Sequence, residues 1–407
     1  MKISNPSLNT SDVVILVNGP GELSSYVKPT ICALHRDHPQ LRITLIFTPC
    51  PYSTGKEREI ALSIPGVSRV INAREFIRWM LWRKKPKGIQ FNRTGVVVFM
   101  GGDILYGKMI AKRINYPAVA YSEAYAKWPD IYKKILAPDR MIYEKFREQG
   151  FPENQIKIVG NLMVDSIVLK KNRKTISLEN GLDPEKKIVS FLPGSREFQV
   201  RYTLDFFART AELMNVSAKG LQFAFIISPF LPKDKLEKQL KKAGLEVRGN
   251  RIITKGTTIT MISSDIHDAI AASDLIITIP GTNTAEVSII GTPFISVFPF
   301  ESCQLIPLEG IYDLIGKVPV LGFIFKNFYV KMMLLKTRFF AIPNIKSGKE
   351  IVPELNGTIN TNALADKAVS ILNDAKILVE MSVQLKACLG APGAAERIAK
   401  EIYEVIP

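Results

Sequence analysis

The sequence predicts an α/β protein built from two doubly wound, Rossmann-like parallel-sheet domains, and three observations support this fold class. Short apolar runs alternate with longer amphipathic stretches, which is the pattern of strands alternating with helices. Several apolar runs end in a glycine-containing turn that opens a helix. The pattern restarts after a charged, turn-rich stretch at 170–183, which we interpret as a linker. We expect domains at 1–168 and 169–383, then a C-terminal helical segment, 384–407, that packs on the first domain or on a partner.

The first half opens with an apolar strand at Val13–Val17, then the glycine-rich turn Asn18–Tyr26 and a helix to about Arg36. Gly19 and Gly21 would let a ligand approach the backbone closely at the start of that helix. The turn has neither the Walker A pattern nor the full dinucleotide fingerprint, so a tight turn without a ligand is an equal alternative. Further strands are predicted at Leu41–Phe47, Val67–Ile71, Thr94–Met100, Ala118–Tyr121, Ile135–Ala137 and Ile156–Val159.

Asp103 is the candidate general base of this half. It follows the predicted strand Thr94–Met100 through Gly101 and Gly102, so its carboxylate would lie at the mouth of the sheet. The alternative is that Asp103 caps the helix that follows. A carboxylate is the more plausible base, because the three histidines of the chain lie at a helix end or on a helix face directed towards the core.

The second half repeats the pattern with a strand at Ile188–Leu192 and a turn at Pro193–Arg196. Gly194 and Ser195 would let an anion approach the backbone, and the Arg196 guanidinium has the fork geometry that suits a phosphate. Further strands are predicted at 223–228, 252–254 and 259–262, and helices at 264–272, 363–373, 379–389 and 394–405.

The stretch Ser273–Phe298 reads as strand, turn, short helix and strand, which is one βαβ unit. Its turn leaves the carboxyl end of a parallel strand and opens a helix, where N–H groups and the helix dipole favour a phosphate. Glu286 would lie in the first turn of that helix, within reach of the hydroxyls of a sugar. The alternative is a capping box in which Asn283 is the N-cap and Glu286 its partner.

The net charge of +16 predicts an acidic partner, and two basic, aromatic segments indicate an anionic membrane surface. In the segment 74–87, one helical face would carry Phe76, Ile77, Met80 and Leu81, with Trp79 and Trp82 beside it. The residues predicted to contact the membrane are Phe76, Trp79, Met80, Trp82, Arg83 and Lys84. The segment 323–340 is similar. The alternative is a helix that faces the core and has a solvated basic edge, and nucleic acid is disfavoured because no recognition motif accompanies the charge.

The sequence also indicates the cellular compartment in which the protein functions. The four cysteines are far apart, without a CxxC pair, so we expect reducing conditions and no zinc site. The polar N-terminus lacks a signal-peptide core, and no apolar run is long enough to span a bilayer. We expect a cytoplasmic protein, peripheral at the inner face of the membrane, with no metal or cofactor and with oligomers possible.

Four motifs together resemble the lipid-A-disaccharide synthase family, whose members have the two-domain GT-B fold. Phe191–Arg196 resembles the LPGSR loop of the family, and Pro280–Glu286 resembles its SGTATLE segment. Ile342–Leu355 is similar to LPNLLAGRELVPEL, and Leu389–Arg397 to LGxGGAAxRAA. The resemblance covers nearly the whole chain, but the acceptor-side loops at 18–26 and 101–108 depart from the family pattern.

The resemblance implies an inverting, metal-independent transfer of a diacylglucosamine unit from UDP to a lipid acceptor. Gly194, Ser195 and Arg196 would hold the diphosphate, and Glu286 would bind the ribose. Four residues would lie along the phosphates: Gly281, Thr282, Asn283 and Thr284. Asp103 would be the base, with Glu22 as a second catalytic group, and the acceptor-side loop would include Asn18, Gly19, Gly21 and Ser24. Alternatives are a non-catalytic relative that binds UDP-lipids or membranes, and a UDP-sugar epimerase of the same fold.

Overall fold

The computed structural model describes residues 10–50, 53, 55, 57–86, 88–229, 231–299 and 337–407. The chain divides into two compact units, one formed by residues 1–166 together with 390–407 and the other by residues 167–389. Each unit is a twisted sheet with helices on both faces, so the predicted α/β fold class is confirmed.

The first unit contains a seven-stranded parallel sheet. Its strands are β1 (Asp12–Val17), β2 (Arg42–Phe47), β3 (Val67–Ile71), β4 (Gly95–Phe99), β5 (Ala118–Tyr121), β6 (Tyr132–Ala137) and β7 (Ile156–Ile158). Their order is β3-β2-β1-β4-β5-β6-β7, and every neighbouring pair is parallel. The chain therefore reverses its direction of travel across the sheet between β1 and β4, which is the topological switch point where such sheets bind ligands.

Helices cover both faces of this sheet. They are α1 (Pro20–Glu22), which continues through a π-helical turn at Leu23–Val27, α2 (Lys28–Asp37), α3 (Glu57–Leu62), α4 (Ala73–Trp82), α5 (Ile104–Ile114), α6 (Arg140–Glu148) and α7 (Leu162–Ser166). Val13, Ile15 and Val17 enter one buried cluster, whereas Val14 and Leu16 enter the other. Strand β1 is thus buried on both sides, which explains why its residues from Val13 to Val17 are all apolar instead of alternating.

The second unit contains an eight-stranded sheet. Its strands are β8 (Ile188–Leu192), β9 (Gln222–Ile226), β10 (Glu246–Arg248), β11 (Arg251–Ile253), β12 (Thr258–Ile262), β13 (Leu275–Thr278), β14 (Phe294–Pro299) and β15 (Glu354–Gly357). Their order is β10-β11-β12-β9-β8-β13-β14-β15. Strands β10, β11 and β12 form an antiparallel meander at one edge, and the other pairs are parallel. The switch point lies between β8 and β13.

The helices of the second unit are α8 (Arg173–Glu179), α9 (Glu197–Ser217), α10 (Lys233–Lys242), α11 (Ile266–Ala271), α12 (Thr282–Ile290), α13 (Ile342–Ser347), α14 (Thr361–Leu372) and α15 (Ala375–Cys388). Helix α8 falls in the stretch interpreted as a linker, so that interpretation is wrong. Ile176 is buried in the core, and Arg173 donates hydrogen bonds to the backbone carbonyls of Pro184 and Ala272 and to Asp274. The stretch is charged because its helix is short and half-solvated.

The final helix, α16 (Ala394–Tyr403), packs within the first unit. Its buried face includes Ile398 and Ile402, which join the cluster formed by one face of β1. The Asp165 carboxylate accepts hydrogen bonds from the backbone N–H groups of Gly393 at 2.7 Å and Ala395 at 2.6 Å, which stabilises the start of the helix.

Candidate functional site

Two turns lie side by side at the switch point of the second unit. Strands β8 and β13 are direct neighbours, with Leu192 opposite Thr278, so the turns that leave their carboxyl ends emerge from the same edge of the sheet. These turns carry Gly194–Arg196 and Gly281–Asn283, which the sequence predicts as the donor site. The topology therefore brings the two predicted parts of that site together.

The turn after β8 differs from the prediction in how its N–H groups are used. Gly194 has a φ of +106°, a conformation that favours glycine. The N–H groups of Ser195 and Arg196 both donate to Oε1 of Gln199, each at 3.1 Å. Arg196 is exposed at the N-cap of α9. Gln199 is a residue of this site that sequence reasoning missed, although a glutamine three residues after an N-cap is a capping signal.

The turn after β13 has no such internal partner. Gly281 is the N-cap of α12, with a φ of +142°, and no side chain caps the helix. Thr282 is exposed and Asn283 is half-buried. Thr284 is fully buried, where its hydroxyl donates to the Gly281 carbonyl at 2.8 Å and accepts from the Ile342 N–H at 3.1 Å. The prediction that Thr284 lies along the phosphates is therefore wrong for its side chain, which instead holds the turn against α13.

Glu286 is half-buried, and among the described residues no hydrogen bond or ion pair engages its carboxyl group. Burial raises the pKa of this carboxyl to about 7. The capping box considered from the sequence is absent, because α12 begins at Thr282 and Asn283 is not its N-cap. A carboxyl group that has lost hydration without gaining a partner is a candidate ligand-binding group.

In the first unit, the turns after β1 and β4 also meet at a switch point. Asn18 Oδ1 accepts a hydrogen bond of 3.3 Å from Thr48 Oγ1 at the end of β2. Gly102 has a φ of +90°, and an added Cβ would lie 2.7 Å from that hydroxyl. An added Cβ on Gly101 would lie 3.0 Å from Cγ of Glu22, so Glu22 packs directly against the turn that carries Asp103. The predicted catalytic residues thus share one edge of the sheet.

Asp103 is exposed, and its carboxylate caps α5 by accepting a 2.9 Å hydrogen bond from the Leu105 N–H. The capping role considered from the sequence is therefore present. It engages one carboxylate oxygen, so the other can still act on a substrate. In the loop after β1, Gly21 is exposed, whereas Glu22 and Ser24 are half-buried.

Sequence reasoning missed Glu123 as a member of this edge. It follows β5, the neighbour of β4, and its Oε1 accepts a 3.0 Å hydrogen bond from the Tyr121 hydroxyl. The Tyr26 and Tyr121 rings meet edge to face, with centroids 5.4 Å apart. Burial and then the charge of Glu123 raise the pKa of both phenols. The signal was present, since Glu123 follows a predicted strand as Asp103 does.

Two of the residues on helix α4 that were predicted to contact the membrane are buried instead. Phe76 and Trp79 are 1% and 3% exposed, because they pack against Tyr106 and Phe91, and so they cannot contact a membrane. Met80 is partly buried against the same core. Trp82, Arg83 and Lys84 are exposed, as predicted for membrane contact. Ile77 and Leu81 are exposed as well, so the predicted apolar face is divided between core and solvent. Residues 323–336 of the second basic segment lie outside the described residues.

Over the ranges that the structure covers, no helix is both long and apolar enough to cross a bilayer. The same part of the chain holds no group of three or more histidine, cysteine or acidic residues arranged to bind a metal ion.

Comparison with known proteins shows sequence similarity to one family and a likeness of fold to solved structures. The family described as lipid-A-disaccharide synthetase matches residues 123–306. The lipid-A-disaccharide synthase of Syntrophus aciditrophicus is 27% identical over 258 residues, 62% of this chain and 58% of that protein. That of Persephonella marina is 24% identical over 285 residues, 69% of this chain and 66% of that protein. The chain thus spans less than two thirds of the length of these relatives. The stretch matched by the family model includes both donor-side turns but neither Glu22 nor Asp103.

Among solved structures, the UDP-GlcNAc 2-epimerase of Methanocaldococcus jannaschii has a TM-score of 0.55 and 16% identity, covering 97% of this chain and 99% of that chain. A putative UDP-N-acetylglucosamine 2-epimerase of Listeria monocytogenes has a TM-score of 0.61 and 15% identity, covering 97% and 96%. At these identities the likeness shows the fold, and it confirms the predicted GT-B-like class. The family resemblance predicted from the sequence is confirmed by the sequence matches.

Proposed function

We propose that this chain, a relative of the lipid-A-disaccharide synthases, is an inverting glycosyltransferase that moves an acylated glucosamine from a UDP donor to a lipid acceptor. The observation that carries the proposal is the pair of turns at the β8–β13 switch point. One supplies Gly194, Ser195 and Arg196, the other starts a helix without a side-chain cap, and Glu286 lies one turn further along that helix. Anion-binding and hydroxyl-binding groups side by side fit a nucleoside diphosphate.

The donor would bind with its diphosphate at these turns. Arg196 and the N-terminal end of α12 would stabilise the negative charge that grows on UDP as the glycosidic bond breaks. This charge stabilisation is the part of the reaction for which many transferases use a divalent cation, so we include metal independence in the proposal. Glu286, in its ionised form, would accept hydrogen bonds from the ribose hydroxyls.

The first unit would supply the acceptor chemistry. Asp103 is exposed at the carboxyl end of β4 and would take the proton from the acceptor hydroxyl as that oxygen attacks the anomeric carbon on the face opposite UDP. This displacement inverts the anomeric centre. Glu22, packed against Gly101, would orient the acceptor beside that base.

A lipid substrate requires access to a bilayer, and α4 offers a surface for this contact. Leu81 and Trp82 are 68% and 62% exposed. Arg83 and Lys84 follow them directly and are also exposed. Aromatic and apolar side chains beside cations suit an anionic membrane interface, so we propose peripheral association at the inner face of the cell membrane.

The test is binding of UDP and then turnover. UDP should raise the melting temperature of the protein, because a ligand that binds the folded state stabilises it by mass action. With donor and lipid acceptor, Asp103→Asn should lower turnover about a hundredfold or more while UDP affinity stays unchanged. Absence of a melting shift at millimolar UDP would contradict the proposal.

Two outcomes would favour the alternatives. If UDP binds but Asp103→Asn and wild type are equally inactive with every lipid acceptor, the protein is a non-catalytic binder. If UDP-GlcNAc alone is converted to an epimer, the protein acts like the structurally similar epimerases, which need no acceptor.

A further inference from the structure

The turn after β8 is already occupied by a group of the protein itself. Oε1 of Gln199 accepts from the N–H groups of both Ser195 and Arg196 at 3.1 Å. These are the N–H groups that a phosphate oxygen would use in the proposed donor site. The carboxamide oxygen of Gln199 accepts both N–H groups and thus has the hydrogen-bonding role that such a phosphate oxygen would have.

The fit between Gln199 and the turn is close. An added Cβ on Gly194 would lie 2.7 Å from both Cβ and Oε1 of Gln199, so the glycine makes room for this side chain as well as adopting a left-handed conformation. Among the described residues, the hydrogen bonds of the Gln199 carboxamide are these two, and no partner of its nitrogen is present. The side chain is therefore held through its oxygen alone, and rotation about its own bonds is enough to release it.

A phosphate has the advantage in direct competition for these N–H groups. Its oxygens are charged, and charge-assisted hydrogen bonds are roughly twice as strong as those to a neutral carboxamide. Helix α9 adds a favourable dipole, because the turn lies at the N-terminal end of its 21 residues. The neighbouring turn after β13 provides a contrast, since α12 starts with no side-chain cap.

We propose that Gln199 is an internal competitor for the donor diphosphate, which closes the β8 turn in the free protein and is displaced when the donor binds. The inference rests on the proposed function, since it concerns the same donor site. Its consequence is that part of the binding free energy of UDP is used to release Gln199. Gln199 would then set donor affinity without itself contacting the reacting atoms.

The test measures the affinity of UDP for wild type, Gln199→Ala and Gln199→Glu by isothermal titration calorimetry. Gln199→Ala leaves the two N–H groups to water, so UDP should bind about tenfold more tightly, which is one net hydrogen bond of about 1.4 kcal/mol. Gln199→Glu keeps both hydrogen bonds but places a negative charge where the diphosphate must bind, so UDP should bind at least about tenfold more weakly.

Uridine is the matched control ligand, because it lacks the phosphates and its affinity should be the same in all three proteins. If Gln199→Ala binds UDP as wild type does or more weakly, with unchanged uridine binding, Gln199 is a supporting residue and the inference is wrong. If Gln199→Ala does not fold, Gln199→Glu provides the test. If that variant binds UDP as tightly as wild type does, the inference is also wrong. Failure of the wild type to bind UDP at all would instead contradict the proposed function.

Discussion

Replacing Glu286 by glutamine should change stability and ligand binding in opposite directions. Burial raises the pKa of this carboxyl from 4.5 to about 7, and no hydrogen bond or ion pair with a described residue offsets the loss of hydration. The folded-state pKa lies above the unfolded one, so the protonated group contributes stability that is fully present below about pH 4.5. That contribution is lost as the pH rises through 7.

The size of the effect follows from the pKa difference. A shift from 4.5 to about 7 corresponds to about 3 kcal/mol between the two protonation states. Glutamine has the same shape and carries no charge, so Glu286→Gln should be more stable than wild type by up to about 3 kcal/mol at pH 8 and by about 1 kcal/mol at pH 5.5. UDP binding should respond the other way. Loss of the charged acceptor should lower the affinity for UDP at pH 8 by about tenfold to a hundredfold, since hydrogen bonds to charged groups contribute about 1.5–3 kcal/mol.

The assay combines denaturant unfolding with UDP titration, each at pH 5.5 and pH 8. Wild-type affinity for UDP should increase between these pH values as Glu286 ionises, whereas that of Glu286→Gln should not. Glu350→Gln is the matched control, because it removes an exposed carboxylate from the same unit. Wild-type UDP affinity in Glu286→Gln at pH 8 would refute the ribose-binding role. If Glu286→Gln at pH 8 has the same free energy of unfolding as wild type, burial of the ionised carboxylate does not destabilise the protein.

Two further predictions concern the first unit. Asp12 is fully buried and pairs with Arg42 at 2.6 Å while accepting from the Tyr116 hydroxyl at 3.0 Å, so Asp12→Asn should lower the free energy of unfolding by about 3 kcal/mol, measured with denaturant. A loss below about 0.5 kcal/mol would show that the cluster is not a stabilising network. The double variant Leu81→Glu, Trp82→Glu should leave the circular dichroism spectrum unchanged, because both side chains are exposed, but should abolish co-sedimentation with anionic vesicles. Sedimentation like wild type would exclude this surface as the membrane contact.

The fold class could be predicted because strands buried on both faces leave a strong local signal. Apolar runs such as Val13–Val17 and Leu275–Thr278 end in turns that contain glycine, and both sheets follow from that pattern. A strand was predicted at 252–254, where β11 lies, but β10 and its antiparallel pairing with β11 were not predicted. Strand β10 has three residues, all exposed, and so carries almost no hydrophobic periodicity.

The orientation of α4 shows what periodicity alone cannot decide. Phe76, Ile77, Met80 and Leu81 form one plausible apolar face, but Trp79 joins Phe76 in the core while Ile77 and Leu81 are exposed. The choice depends on Tyr106 and Phe91, which contact these rings and are distant in sequence. Gln199 was missed although its spacing from Arg196 is a capping signal. Its role depends on the side-chain rotamer, which a sequence does not specify.

At the start of α12, the local sequence predicts a capping box that the structure does not contain. Asn283 and Glu286 have the spacing of a capping box, yet the helix begins at Thr282 and leaves the carboxyl group without that partner. A difference of two residues in the N-cap position, Gly281 instead of Asn283, therefore separates a structural role for Glu286 from a ligand-binding one.

Product analysis tests the central claim most directly. Purified protein would be incubated with a UDP-linked diacylglucosamine and a lipid acceptor, and the lipids would be examined by mass spectrometry and NMR. The proposed transferase should yield a disaccharide lipid with an inverted anomeric centre, release one UDP per bond formed, and stay active in a metal chelator. No disaccharide with any lipid acceptor, or a UDP-sugar epimer as the product, would contradict it.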